Sequence, residues 1–158
     1  MNTQRLFVIS LFCIISAMHI YISGSENKIV LLEEEWKKSC KECDMARKAL
    51  STNPECSAYM TADYNTSKKD LQKATNNFYV TQQGQYYRYW YVKRESLAKM
   101  KHHYAKKIST KPRDSLIKAL STALFTDNYV DNVIAQEINF KVDEELTAFI
   151  NIIEPEGK

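Results

Sequence analysis

Glycine and proline are nearly absent from the body of this chain: between Ser25 and Glu154 the only ones are Pro54, Gly84 and Pro112. Tight turns with positive φ draw on glycine and asparagine, so this scarcity argues against a fold of many short strands and hairpins. It also leaves no glycine-rich loop to cradle a phosphate. Cysteine is sparse as well, at four residues, too few for the disulfide frameworks of small odorant carriers or saposin-like folds. No serine, histidine and acid order marks a hydrolase, no nucleic-acid motif is present, and no internal repeat or low-complexity tract occurs.

Residues 1–25 carry the clearest signal. Arg5 precedes an apolar run from Leu6 to Ile22, which ends in Ser23, Gly24 and Ser25. That order reads as a secretory signal peptide cut after Ser25, with an uncleaved single-pass anchor as the alternative. Residues 26–158 then form a single helical domain, large enough for one hydrophobic core. The predicted class is all-α, a small bundle of four to five helices held by one disulfide.

In the first mature segment Ile29, Leu32, Trp36, Ser39, Cys43, Ala46 and Leu50 recur at spacings of three and four, one face of a helix. Glu33 to Glu35 fall outside that stripe and read as a solvated face. Asn53 before Pro54 is a strong helix start. A second long helix is expected from there to about Gln83, with Met60, Tyr64, Ser67, Leu71, Ala74, Phe78 and Thr81 on its stripe. Asn65-Thr66-Ser67 is a glycosylation sequon that the secretory route would expose to modification.

After Gly84, the run Tyr86 to Val92 is rich in strand-favouring aromatics. At helical angles, however, Tyr86, Trp90, Leu97, Met100, Tyr104 and Ile108 gather on one side, with Arg88, Lys99, His102, His103 and Lys106 opposite. This favours a helix, either packed on two sides or showing a binding face. Beyond Pro112, Leu116 to Leu124 suggest a short helix and Thr126 to Asn128 offer caps for another. In the last segment Ile138, Phe140 and Val142 alternate like a strand within a helical pattern, which a kink near Asn139 would reconcile.

The net charge of +3 hides an asymmetry. From Arg88 to Arg113 nine basic residues face a single acid, Glu95, whereas from Asp114 onward three basic residues face nine acids. The two segments could lie antiparallel and neutralise one another. Alternatively the basic one is a binding surface, with Tyr87, Arg88, Tyr91, Lys99, His103 and Lys106 as contacts. An extracellular protein, a sulfated glycan or an anionic lipid surface would be its partner, and nucleic acid would not.

Cys13 leaves with the signal peptide, so Cys40, Cys43 and Cys56 remain. A Cys43 to Cys56 bridge would staple the first two helices and stabilise by roughly 2–4 kcal/mol. The third thiol could then link two chains into a dimer. A second use of the cysteines is redox. Lys28 to Leu32, Trp36 and Cys40-Lys41-Glu42-Cys43 distantly resemble the strand, tryptophan and C-x-x-C of thioredoxin-like proteins. That resemblance implies a thiol oxidoreductase with Cys40 as nucleophile and Cys43 as resolving thiol. A zinc site from the three cysteines and His102 or His103 lacks a familiar second half, so no metal and no cofactor are expected. The leading expectation is a secreted, non-enzymatic binding protein. Its main rival is an extracellular carrier of a small apolar ligand, its cavity lined by the aromatics from Phe78 to Tyr91.

Overall fold

The computed structural model describes the backbone of residues 3–106, 111–125 and 132–157, without the side chains of 3–23, 25, 26 and 125. The apolar side chains of the expected signal segment, Ile108 and the caps expected at Thr126 to Asn128 lie outside the described residues. Those residues form six helices and no strand: α1 (Thr3–Leu50), α2 (Pro54–Met60), α3 (Lys68–Val80), α4 (Gln82–Ala105), α5 (Pro112–Phe125) and α6 (Val133–Ile153). The all-helical class therefore holds, with six helices instead of four or five. Among the described residues no helix is long and apolar enough to cross a membrane.

The added helix comes from a break in the expected second one. Asn53 caps α2 as its type suggests, its side chain accepting from the Glu55 amide with Pro54 in the first turn. The helix stops after Met60, however, because residues 61–67 satisfy their backbone locally. Asp63 Oδ1 accepts from the Asn65 amide, and Thr66 Oγ1 accepts from the Asp63 amide. Ser67 is the N-cap of α3, accepting from the Asp70 amide, and not a stripe residue. Tyr64 is 95% exposed.

The next corner lies at Thr81, three residues before the expected break. Thr81 Oγ1 donates to the Phe78 carbonyl and accepts from the Gly84 amide, so one extended residue ends α3 and caps α4. Gly84 is required for a different reason from the one its rarity suggests. A Cβ there would stand 2.1 Å from the Phe78 carbonyl oxygen, so only glycine lets the helix ends approach so closely.

The long helix α4 is the hub, packed by α1, α3, α5 and α6. The main core joins Leu32 of α1, Val92, Leu97 and Met100 of α4, Leu116 and Leu120 of α5, and Val142, Leu146 and Ile150 of α6. A smaller core at one end joins Leu50, Cys56, Phe78, Tyr79 and Ala135. Packing on several sides explains how the aromatic run of α4 stays helical. Tertiary burial overrides a strand preference that is itself mostly packing. Likewise α6 runs helically through Ile138, Phe140 and Val142.

The stapling disulfide does not form. Cys40, Cys43 and Cys56 are free thiols. Because α1 continues to Leu50, Cys43 sits about 10 Å along the helix axis from its end. Cys56 Sγ instead lies 3.3 Å from Thr81 Oγ1 in the smaller core. The strand implied at Lys28 to Leu32 by the thioredoxin-like resemblance is part of α1.

Candidate functional site

The six residues singled out, five on α4 and Lys106 at its C-cap, do not form one surface. Tyr87, Arg88 and Tyr91 lie in its first half and line a cleft. Lys99 is half-buried, while His103 and Lys106 are exposed near the C-terminal end. Arg88 is 5% exposed, with Nη2 donating to Asn139 Oδ1 of α6 at 3.3 Å.

Much of the basic segment is occupied by partners within the fold. Lys93 Nζ reaches Glu145 at 3.2 Å, Arg94 pairs with Glu95, and Arg113 pairs with Glu156 at 2.8 Å. Lys101 pairs with Glu33 of α1 and stands over the Trp36 ring. The basic and acidic segments do meet, as the neutralising reading expects, but in parallel. Residues 88, 93 and 104 of α4 meet 139 and 145 of α6 and its cap residue 154 in the same order, because α5 carries the chain back between them.

The polar centre of this contact is Tyr89, which donates to Glu145, with Lys93 donating to both. Burial raises the Tyr89 phenol well above its ordinary value, and its bond to Glu145 adds to the shift. For Glu145 burial acts upward, but hydrogen bonds from Tyr89 and Lys93 and the charges of Lys93 and Lys141 outweigh it and lower the carboxyl.

The cleft is built from α2, the loop 61–67, α3 and the start of α4. Its volume is about 700 Å³. Tyr59 stacks on Phe78 at 4.2 Å between ring centroids, and Phe78 meets Tyr79 and Tyr87 edge-on at 5.1 and 6.4 Å. Tyr87 continues the series to Tyr91 at 5.9 Å, and the Arg94 guanidinium stands 5.2 Å from the Tyr91 ring centre. Asp63, Thr66, Thr75 and Arg88 bring polar groups to the same space. Phe78 and Tyr79 are 0% exposed, so the aromatic surface open to the cleft is that of Tyr59, Tyr87 and Tyr91, against which one face of a flat ring can pack.

Local rules place these side chains. Phe78 and Tyr79 occupy the last turn of α3, Tyr87 and Tyr91 lie one helical turn apart on α4, and the single-residue corner at Thr81 holds the two sets together. The aromatic supply from Phe78 to Tyr91 was legible in the sequence. Tyr59, Asp63 and Thr66 were not singled out. Their signal was the Asp63 and Ser67 pair of turn and cap formers, which marks a loop inside an otherwise helical pattern.

Cys40 and Cys43, the pair of the thioredoxin-like reading, are free thiols in the middle of a helix. Cys40 and Cys43 lie far from either end of α1, away from the helix dipole that would activate a thiol. Burial pushes both thiols up, and Arg94 only partly opposes it. Among the described residues no group of three or more histidine, cysteine or acidic side chains is placed to hold a metal ion. Asn65 is exposed in the loop beside the cleft, where a glycan would meet solvent. No protein-family model, curated protein or solved structure matches the chain.

Proposed function

We propose that this chain is a secreted, non-enzymatic binding protein whose binding element is the aromatic cleft between α2, α3 and α4. The ligand class is a small molecule with a flat, largely apolar ring system and a polar edge. The observation that carries this reading is the size and lining of the cleft. About 700 Å³ lined by the half-buried Tyr59, Tyr87 and Tyr91 over the buried Phe78 and Tyr79, with the exposed Tyr64 at its border, falls within the roughly 300–1,000 Å³ of small-molecule sites. The reading sits between a partner-binding face and an apolar carrier. It keeps Tyr87, Arg88 and Tyr91 as contacts and drops the requirement for an open basic face.

An environment-sensitive aromatic dye, titrated into the native protein, tests it. Saturable one-to-one binding that is lost in Ala62→Trp supports the reading, because Ala62 lines the cleft and a larger side chain would fill it. Ile152→Ser is the control, since Ile152 is 71% exposed on α6 and offers the dye an unrelated apolar spot. Equal dye affinity in Ala62→Trp and the parent, or loss only in Ile152→Ser, would refute it.

A further inference from the structure

A basic open surface lies outside the segment with the greatest charge excess. On α3, Lys68, Lys69, Gln72, Lys73, Asn76 and Asn77 line a shallow groove of about 640 Å³. All six side chains are exposed, and among the described residues no carboxylate lies within ion-pair distance of the three lysines. The one acid in the same turns, Asp70, is engaged with the Ser67 hydroxyl at 2.6 Å.

This placement does not serve the helix. Lys68 and Lys69 occupy the first turn of α3, where the macrodipole favours acids and disfavours cations. Elsewhere in the fold several lysines and arginines have found acidic partners, as Lys28, Lys93, Lys101 and Arg113 show. A cluster that runs against its own helix and stays unneutralised fits a negative charge supplied from outside.

The carboxamides narrow the class of ligand. Asn76 Oδ1 accepts from Gln72 Nε2 of α3 and from Asn132 Nδ2 before α6, which orders the floor of the groove. Amides beside lysines match a ligand carrying both hydroxyl groups and fixed anions. The lining residues are all lysine, glutamine or asparagine, so the apolar part of the groove is their side-chain stems, with no aromatic or aliphatic residue to anchor a protein interface or to insert into a lipid surface. Lys69 and Lys73 lie about one turn apart on the same side of α3, about 6 Å along the helix axis, so one extended anion can meet both.

We infer that the groove on α3 is a binding site for a sulfated glycan. The inference rests on the proposed secretion, which brings the protein to such glycans, and is independent of the cleft. Heparin oligosaccharides and a chemically desulfated control would be titrated into the full-length secreted protein by calorimetry at low and high salt. Binding should weaken as salt rises, should require sulfation, and should fall about tenfold or more in the variant K68E/K69E/K73E. These substitutions place acids in the first turns of α3, so the helix should fold at least as well. Circular dichroism checks this.

The variant H103A/K106E, at the far end of α4, should retain parent affinity. Loss of binding in that variant with retention in the α3 variant would overturn the assignment. So would equal affinity for desulfated heparin, no heparin binding at all, or α3-dependent binding to phosphatidylserine vesicles alone. Failure of dye binding in the cleft leaves this result unaffected, so the two readings fail separately.

Discussion

Alanine at Gly84 should destabilise the protein, although glycine to alanine in a helix ordinarily stabilises. Gly84 lies in the first turns of α4, where the intrinsic gain from alanine is about 1 kcal/mol. Against it stands a steric term. The added Cβ would meet the Phe78 carbonyl oxygen at 2.1 Å, Thr81 Oγ1 at 2.8 Å and the Phe78 carbonyl carbon at 3.0 Å. That oxygen cannot retreat freely, because it accepts from the Thr81 amide at 3.2 Å and from Thr81 Oγ1 at 2.7 Å. Overpacking of this kind costs about 1–3 kcal/mol, and one weakened hydrogen bond adds about 1 kcal/mol. After the helical gain is deducted, the net loss is roughly 1–3 kcal/mol, or on the order of 4–12 °C in midpoint temperature. Urea and thermal unfolding followed by circular dichroism would measure it. Dye affinity should fall too, since the corner at Thr81 sets α3 against the turn of α4 that carries Tyr87 and Tyr91 into the cleft. A Gly84→Ala variant as stable as the parent would refute the corner as described.

Glu145→Gln should cost about 1–3 kcal/mol at neutral pH, because Lys93 is 9% exposed and loses its anionic partner; the value stays below that of a fully buried pair because the Glu145 side chain remains 37% open to water. A carboxyl held below its unfolded value contributes stability that is complete above that value and lost as pH falls through the folded one. The parent's acid-side loss below about pH 4.5 should therefore be smaller in Glu145→Gln, as paired pH-dependent urea melts would show. Alkylation of the native protein should label Cys40 slowly and Cys43 and Cys56 only on unfolding, since the last two are 1% and 0% exposed; rapid labelling of all three would contradict the packing, and reduction of insulin disulfides would contradict the raised thiols. Tyr59→Ala should weaken dye binding and cost about 1–3 kcal/mol in stability, through loss of its stack on Phe78, with unchanged dye affinity as the contrary result.

Helix content and the buried face of α1 were legible because they depend on periodicity. Leu32, Ser39, Cys43, Ala46 and Leu50 recur at helical spacing and are all at most 3% exposed. The break at 61–67 was not, because its cause is hydrogen bonding by Asp63, Thr66 and Ser67, which a hydrophobic stripe does not report. Arg88 was read as a surface contact because an arginine on a polar stripe ordinarily faces water. A hub helix packed on several sides has no such stripe, and α6 covers Arg88 through Asn139. The site was half visible. Clustered tyrosines announced an aromatic surface, but whether α4 offers them to solvent or shares them with a cleft depends on where α2 and α3 dock.

The cleft is tested most directly by a two-dimensional amide spectrum of the isotopically labelled protein, recorded while small aromatic compounds are added. The account predicts that compounds which bind shift one contiguous set of signals, from Tyr59 to Thr66, Leu71 to Tyr79 and Tyr87 to Tyr91, and leave α5 and the end of α6 unmoved. Shifts scattered over the surface, or confined to the exposed face of α6 around Phe140 and Ile152, would contradict it.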